Sequence, residues 1–449
     1  MELNIVVVGL GEVGKHIATV LSREDHNVTV VDLNPEAISA VDERLDVRSV
    51  VGRGGSIGVL KEIEVDKADL LIAVTNIDEV NILTSLMAKD SGANKVIARV
   101  DSEEYLPGNR GSYQDLFGID LVISPEILSA IEINKLIGFL GANFIANFAD
   151  NQVELLQLTQ KKKQGVTGTS LKNLKFPPEL LVTAIIRNEK LIIPSGDTVL
   201  EEGDKVFIIG KTATIGKSAE FFANQKSSGA EKVVILGGGK IGYSVAKFLE
   251  GKKISVVVIE WNQKRCQFLS EQLAEALVIN GDGTDIELLR REKVGEADVF
   301  VAASKRDEIN LMSSLLAKEL GCKKTIALVH RPDYVPVYEH LGLDATISPR
   351  RFAADQILRY VRSGEVVSVS DIELGKGEIL EFVVPAGSKV IGNMLKDLRI
   401  PKGAVIGAIA GKQGVIIPTG NDIISVGDNV IVFTTPEVRP KVEELFKSR

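Results

Sequence analysis

Short β-branched runs recur along the first part of the chain, each followed by a stretch of helical periodicity. They lie near Asn4–Val8, Asn27–Asp32, Val47–Val51, Leu70–Val74, Lys95–Val100 and Asp120–Ser124. Apolar runs of this kind suit strands buried on both faces, and their alternation with helix predicts βαβ units. Six of them predict an α/β fold with a doubly wound, Rossmann-like parallel sheet.

The pattern then changes. From Pro125 to about Phe148 the residues Ile127, Ile131, Leu136, Phe139, Leu140, Phe144 and Phe148 recur near helical spacing, predicting one helix with a broad apolar stripe. That stripe can pack on its own sheet, or the helix can swap between neighbouring units and bridge them. Beyond it, a strand at Val153–Thr159, a short helix near Leu171 and strands near Leu181–Arg187, Lys190–Ile193 and Lys205–Ile209 predict a smaller unit. Pro194 and Gly196 punctuate a turn, and Gly203-Asp204 marks a hairpin before the last strand.

The whole plan then repeats. Gly9 maps to Gly237, Gly14 to Gly242 and Asp32 to Glu260, each 228 residues on. After a one-residue slip Asp69 meets Asp298, Asn81 meets Asn310 and Tyr105 meets Tyr334. IDLVISP (119–125) matches LDATISP (343–349) at a shift of 224, so the second copy is shorter around the loop PGNRGSYQ. IIPSGDTVLEEGDKVFI (192–208) matches IIPTGNDIISVGDNVIV (416–432) at the same shift. NQKSSGAEK, residues 224–232, is the clearest linker.

Composition narrows the function class. Net charge is −8, and the densest basic run is only Lys161–Lys163, which suits a hairpin tip, so nucleic acid is not an expected partner. Cys266 and Cys322 are too few for a disulfide framework or a zinc site, which fits a cytoplasmic protein. MELNIVVVGLGEVG lacks a basic leader and runs straight into a strand, so no signal peptide is expected. The longest uncharged run, between Lys135 and Asp150, is too short for a membrane span.

The chemistry lies in the glycines. GLGEVG (9–14) follows a strand and opens a helix, and an acid, Asp32, stands 18 residues after Gly14. That is the full context of a dinucleotide-binding fingerprint, and GGGKIG (237–242) with Glu260 supplies it again. Gly9 permits the tight turn, Gly11 lets backbone approach a pyrophosphate, and Gly14 lets the helix pack on the strand. N–H groups at the helix start then face the phosphates. Asp32 can accept both ribose hydroxyls and repel a 2′-phosphate, which favours NAD(H); Glu260 does the same in the second copy.

The copies are chemically unequal. AVTN (73–76) becomes AASK (302–305), Arg99 becomes Leu328, and Arg53 becomes Asp282. Arg99 can clamp a phosphate bidentately or sit in a surface salt bridge. Arg53 is a ligand or a solvated loop residue. Asp282 and Thr284 can bond adenine or ribose, or merely close an Asx turn. Of four histidines, His16 and His26 fall where exposure is the default, and only His330 stands near a strand end as a candidate acid/base. No nucleophile, metal or Walker motif is present.

GLGEVG, VVD (30–32), ADLLIAVTNIDEVN (68–81), VIARV (96–100), IDLVISPE (119–126) and the IP-[ST]-G and GD signatures of both small units resemble the TrkA family. These are cytosolic regulatory subunits of Trk potassium-uptake systems, built from tandem RCK (KTN) domains. The resemblance covers essentially the whole chain. It implies Rossmann-like RCK N-terminal domains at 1–135 and 230–362. It also implies a linker helix with the first small α+β RCK C-terminal domain at 136–223, and the second such domain at 363–449. It implies no catalysis but a homo-oligomer, dimer or tetramer, peripheral at the cytosolic face of the inner membrane, gating a TrkH-like potassium transporter. The ligands implied are NAD(H), with ATP or ADP as alternatives. Carried over by position, the contacts are Gly9, Leu10, Gly11, Glu12, Val13, Gly14, Asp32, Val74, Thr75 and Arg99 in the first cleft. In the second they are Gly237, Gly238, Gly239, Lys240, Ile241, Glu260, Asp282 and Ala303. An NAD-dependent oxidoreductase with a duplicated Rossmann domain is the alternative from the residues alone.

Overall fold

A computed structural model describes residues 2–24, 26–105, 116–160, 166–175, 177, 179–216, 221–222, 229–361, 366–372 and 376–448. The Lys161–Lys163 run, the PGNRGSYQ loop and most of the 224–232 linker lie outside them.

The first copy builds β1 (Asn4–Val8), α1 (Glu12–Arg23), β2 (Asn27–Asp32), α2 (Pro35–Asp42), β3 (Arg48–Val51) and α3 (Ile57–Glu62). It continues with β4 (Leu70–Ala73), α4 (Asp78–Asp90), β5 (Lys95–Arg99), β6 (Leu121–Ile123) and α5 (Pro125–Gly138). The six strands form one parallel sheet in the order β3-β2-β1-β4-β5-β6, with Val8 of β1 facing Val31 and Ala73. The small unit follows with β7 (Ala142–Phe148), β8 (Val153–Thr159), β9 (Leu180–Arg187), β10 (Lys190–Ile192) and β11 (Lys205–Lys211), an antiparallel sheet.

The second copy repeats this with β12 (Lys232–Leu236), α6 (Lys240–Leu249), β13 (Ser255–Glu260), α7 (Gln263–Gln272), β14 (Leu277–Asn280) and α8 (Ile286–Arg291). Next come β15 (Val299–Ala302), α9 (Asp307–Glu319), β16 (Lys324–Leu328), α10 (Val335–His340), β17 (Ala345–Ile347) and α11 (Pro349–Val361). Its large sheet has the order β14-β13-β12-β15-β16-β17. Its small sheet joins β18 (Val366–Ile372), β19 (Gly377–Val383), β20 (Ala404–Gly411), β21 (Gly414–Ile416) and β22 (Asn429–Thr434), with α12 (Arg439–Phe446) against it. The fold class is the expected one. Among the described residues no helix is long and apolar enough to cross a membrane.

One element differs from expectation. The helix predicted to run to about Phe148 ends at Gly138, and Ala142–Phe148 is a strand. The misleading signal is the spacing of Leu140, Phe144 and Phe148 at intervals of four; in the strand Ala142, Ile145 and Phe148 are the buried residues, and the pairing of β7 with β8 shifts register between Ala142 and Phe144. The apolar face of α5 is also not the predicted one. Ser129, Ala130, Ile133, Leu136 and Ile137 are buried, whereas Ile131 is exposed. Ser124 starts the helix, its hydroxyl accepting from Ile127 N–H with Pro125 in the first turn.

That face belongs to the other copy. Ala130, Ile133, Leu136 and Ile137 share a core with Val233, Ile235, Val245 and Leu249 of the second large unit. Reciprocally, Ala353, Ala354, Ile357, Leu358 and Val361 of α11 complete the core of Ile5, Val7, Ile17 and Leu21 in the first. Each Rossmann unit is thus closed by a helix from its twin. The two small units also share a core, in which Phe148, Ile186 and Phe207 meet Ile379, Ala408 and Phe433.

Candidate functional site

Each large sheet has a crevice where its strand order reverses, between β1 and β4 and between β12 and β15. The glycine turns stand at these points. Gly9 has φ +100°, and an added Cβ would lie 2.8 Å from Thr75 N. Gly237, φ +95°, would meet Ala303 O at the same distance. The turn is therefore pressed against the loop after β4 or β15, which brings Val74 and Thr75, or Ala303, beside it as expected. Gly14 is more constrained, with an added Cβ only 1.8 Å from Gly9 O.

Gly11 and Gly239 are different. Each is the N-cap of its helix, neither offers a side-chain cap, and nothing lies within 4 Å of an added Cβ. The first N–H groups of α1 and α6 are thus left for a partner, and the space above them is open. A pyrophosphate fits this donor set.

The acids stand beside the turns. Asp32 accepts from Leu10 N–H at 2.5 Å and from Asn34 N–H at 2.8 Å. Glu260 accepts from Gly238 N–H at 2.7 Å and from Asn262 N–H at 2.8 Å. Each carboxylate oxygen keeps a further lone pair for a ribose diol. The copies fill the volume behind the turn differently. Leu10 is buried there in the first; in the second Gly238 leaves the room to Leu269, whose Cδ1 would lie 2.2 Å from an added Cβ.

Two side chains that sequence reasoning passed over brace the rims. Asn81, fully buried, accepts from Thr75 N–H at 2.8 Å and donates to Thr75 O and Arg99 O at 2.9 Å. Asn310 does the same for Ser304 and Leu328. The available signal was an asparagine kept at one register of both repeats, on a buried helix face it shares with Ser85 and Ser314.

Arg99 resolves in part. Its Nη2 lies 2.9 Å from Asp101 and 3.9 Å from Glu126, and its Nε is buried without a hydrogen-bond partner. Burial, and then the Asp101 charge, push Glu126 up to about 7, against the pull of Arg99 and of Lys240. Lys240 opens α6 in the second copy, so a charge of the second glycine turn acts on Glu126 in the first turn of α5. The reciprocal junction has reversed polarity: Glu12 of the first turn lies 3.9 Å from Arg350 of α11. Leu328, the counterpart of Arg99, is buried in the core and carries no charge to its cleft.

The remaining candidates separate. Arg53 is exposed on its loop. Asp282 closes the Asx turn, accepting from Thr284 N–H at 2.9 Å and from its hydroxyl at 2.8 Å, and these bonds hold its carboxyl below the usual range. His330 Nδ1 lies 2.9 Å from Asp307, which also takes the His330 and Arg331 N–H groups, so the imidazole is part of a loop brace. His26 is half-buried rather than exposed and accepts from Leu3 N–H.

Residues 5–125 and 233–349 match the TrkA-N domain, and residues 159–223 and 379–447 match the TrkA-C domain. The chain belongs to the TrkA family. A TrkA homolog of the Trk potassium uptake system from Archaeoglobus fulgidus is 35% identical over 445 residues, covering 99% of this chain and all of its own. TrkA of Haemophilus influenzae is 33% identical over 454 residues, with 99% of each chain covered. Among solved structures, the GsuK RCK domain superposes with a TM-score of 0.62 at 19% identity, covering 99% of this chain and 95% of that one. The GsuK channel bound to NAD gives 0.63 at 19% identity, over 99% of this chain and 79% of that one. These two likenesses are of fold.

Proposed function

We propose that this TrkA-family chain is a nucleotide-gated regulator of a membrane potassium transporter rather than an enzyme. The observation that carries the reading is the coupling of two open glycine-turn clefts by reciprocally exchanged helices. A nucleotide at the start of α1 touches a unit whose core contains α11 of the other copy. A ligand that prefers one relative arrangement of the units shifts the population toward it by its differential affinity. In this reading Gly9–Gly14, Asp32, Val74, Thr75 and Arg99 hold NAD(H) or an adenine nucleotide, and Gly237–Ile241, Glu260, Asp282 and Ala303 form the second site. The printed names of the relatives, Trk potassium uptake proteins, support the choice of transporter, and the chain would act at its cytosolic face as a homo-oligomer. No reaction step is assigned, since His330, the one acid/base candidate, is tied to Asp307.

The test is potassium flux in vesicles holding the transporter with and without this chain. ATP, ADP or NADH should change flux only when the chain is present. Equal flux without the chain, or flux indifferent to nucleotide, rejects the reading. A narrower prediction concerns the first cleft. Hydrogen bonds to a charged group contribute about 1.5–3 kcal/mol each, so Asp32→Ala should weaken NADH binding by roughly ten- to a hundredfold. It should also relax the rejection of NADPH. Unchanged NADH affinity by calorimetry would remove Asp32 from the site.

A further inference from the structure

We propose that the joint between α5 and the first small unit is a proton-operated latch, in which Lys135 passes from Glu132 and Asn147 to Glu154 when the Glu154 carboxyl loses its proton. The inference goes beyond nucleotide binding and does not depend on which ligand the clefts hold.

Glu154 lies on β8 and is only 4% exposed. Its Oε2 is buried without a hydrogen-bond partner. A carboxylate in such a place is costly, so the group keeps its proton until a cation comes to it. On the side of β11 the surroundings are apolar. Gly210 pairs with Glu154 there, and a Cβ added to Gly210 would lie 2.7 Å from Leu180 Cδ2 and 3.5 Å from Ile215 Cγ1. Lys211, at the end of β11, is paired with Glu179 at 2.8 Å. On the side of β7 the register sets Asn147 directly opposite Glu154. Lys135, in the last turn of α5, donates to Glu132 Oε1 and to Asn147 Oδ1, both at 2.8 Å. Two of its three donors are thus used, and neither goes to Glu154. Burial holds the Glu154 carboxyl above the usual carboxylate range; Glu132 adds to the rise, and Lys135 and Asn147 pull against it.

The second copy shows the same joint with its cation built in. Glu378 stands at the place of Glu154, and Arg439 Nη1 lies 3.1 Å from it. Glu443 holds that arginine in turn at 2.6 Å. In the first copy the place of Arg439 is taken by Ile215, which is fully buried. Lys135 can supply the missing charge only by leaving the contacts that tie α5 to β7. The next residue, Leu136, gives its carbonyl to Lys324 of the second copy at 2.7 Å. Moving Lys135 therefore pulls on the seam between the first small unit and the second large unit.

The test uses the full chain and two readouts. A protonated carboxylic acid has an infrared C=O stretch that its anion lacks. The difference between wild type and the near-isosteric Glu154→Gln should show that band at about pH 6, where an ordinary glutamate, near 4.3, is ionised. The band should disappear as the pH is raised further. In Lys135→Met it should survive to higher pH, because the cation that draws the proton off is gone. Over the step in which the wild-type band is lost, the amides of residues 136–142 should lose hydrogen-exchange protection relative to Glu154→Gln. At about pH 6 the two chains should match. Comparing them at one pH cancels the intrinsic exchange rate and any titration of Lys324. No acid band at about pH 6, a band that fades at the same pH in Lys135→Met, or equal exchange in both chains at every pH overturns the latch.

Discussion

Lys324→Met should destabilise the chain by about 2–5 kcal/mol, since each buried carbonyl that loses its donor costs about 1–3 kcal/mol. Lys324 lies on β16 and is 2% exposed. Its ammonium donates to Leu136 O at 2.7 Å, Phe139 O at 2.9 Å and Ala142 O at 2.6 Å. These carbonyls come from the other copy, where α5 gives way to β7. Three donors meet three acceptors, which stops the helix and ties it to the second large unit. Methionine fills much of the same volume but takes the ammonium donor from all three carbonyls, leaving Phe139 O only its bond from Ala142 N–H at 3.0 Å.

The same site gives a pH signature. Burial pushes the Lys324 ammonium down to about 7, opposed by the Asp344 charge. Asp344 is itself engaged by Thr325 at 2.9 Å and 3.0 Å and by Lys318 at 3.5 Å. An unfolded lysine titrates near 10.4. Between about pH 7 and 10 the unfolded chain therefore holds the extra proton, and stability from this group rises with pH. The wild-type margin over Lys324→Met should widen across that window in urea unfolding followed by circular dichroism. A margin that stays flat or narrows would mean that the group is not depressed.

How much of this was legible in the sequence follows from where each signal is stored. The strands and turns around Gly9–Gly14 and Gly237–Gly242 are local, and β-branched runs with glycines at fixed offsets place them directly. β7 was not legible, because Leu140, Phe144 and Phe148 stand four residues apart, the spacing of a helix. The partner of α5 was not legible either, since its apolar face meets residues such as Val233 and Leu249, far along the chain. Lys324 shows the limit most clearly. Lys95 stands at the same register of the first copy, yet its ammonium lies 5.1 Å from the Tyr360 ring centroid, while Lys324 is enclosed by carbonyls. Nothing in the two short runs, KVIAR and KTIAL, separates a cation beside a ring from one buried as a helix stop. Arg99 falls between these cases: its place at the cleft and its pairing with Asp101 are local to the end of β5, but its approach to Glu126 depends on the exchanged helix.

The glycine turn permits a sharper experiment, because its glycines are required for different reasons. Gly14→Ala would set a Cβ 1.8 Å from Gly9 O, and Gly242→Ala would set one 1.9 Å from Gly237 O. Both contacts are with backbone, and Gly9 and Gly237 are already in the left-handed region, so neither turn can yield without moving the strand above it. Each substitution should cost about 3 kcal/mol or more. Gly11→Ala and Gly239→Ala should cost less, about 0.5–1 kcal/mol each, the N-cap difference between glycine and alanine, since their φ values of −65° and −63° are ordinary and the space is open. That open space is where a phosphate would approach the first N–H groups of α1 and α6. The double variant Gly11→Ala with Gly239→Ala should therefore unfold at a higher urea concentration than Gly14→Ala or Gly242→Ala alone, while losing most of its ADP affinity and blunting the flux response. Stability and binding would then part company within one turn. Wild-type ADP affinity in that double variant would place the phosphates elsewhere than at the helix N-termini.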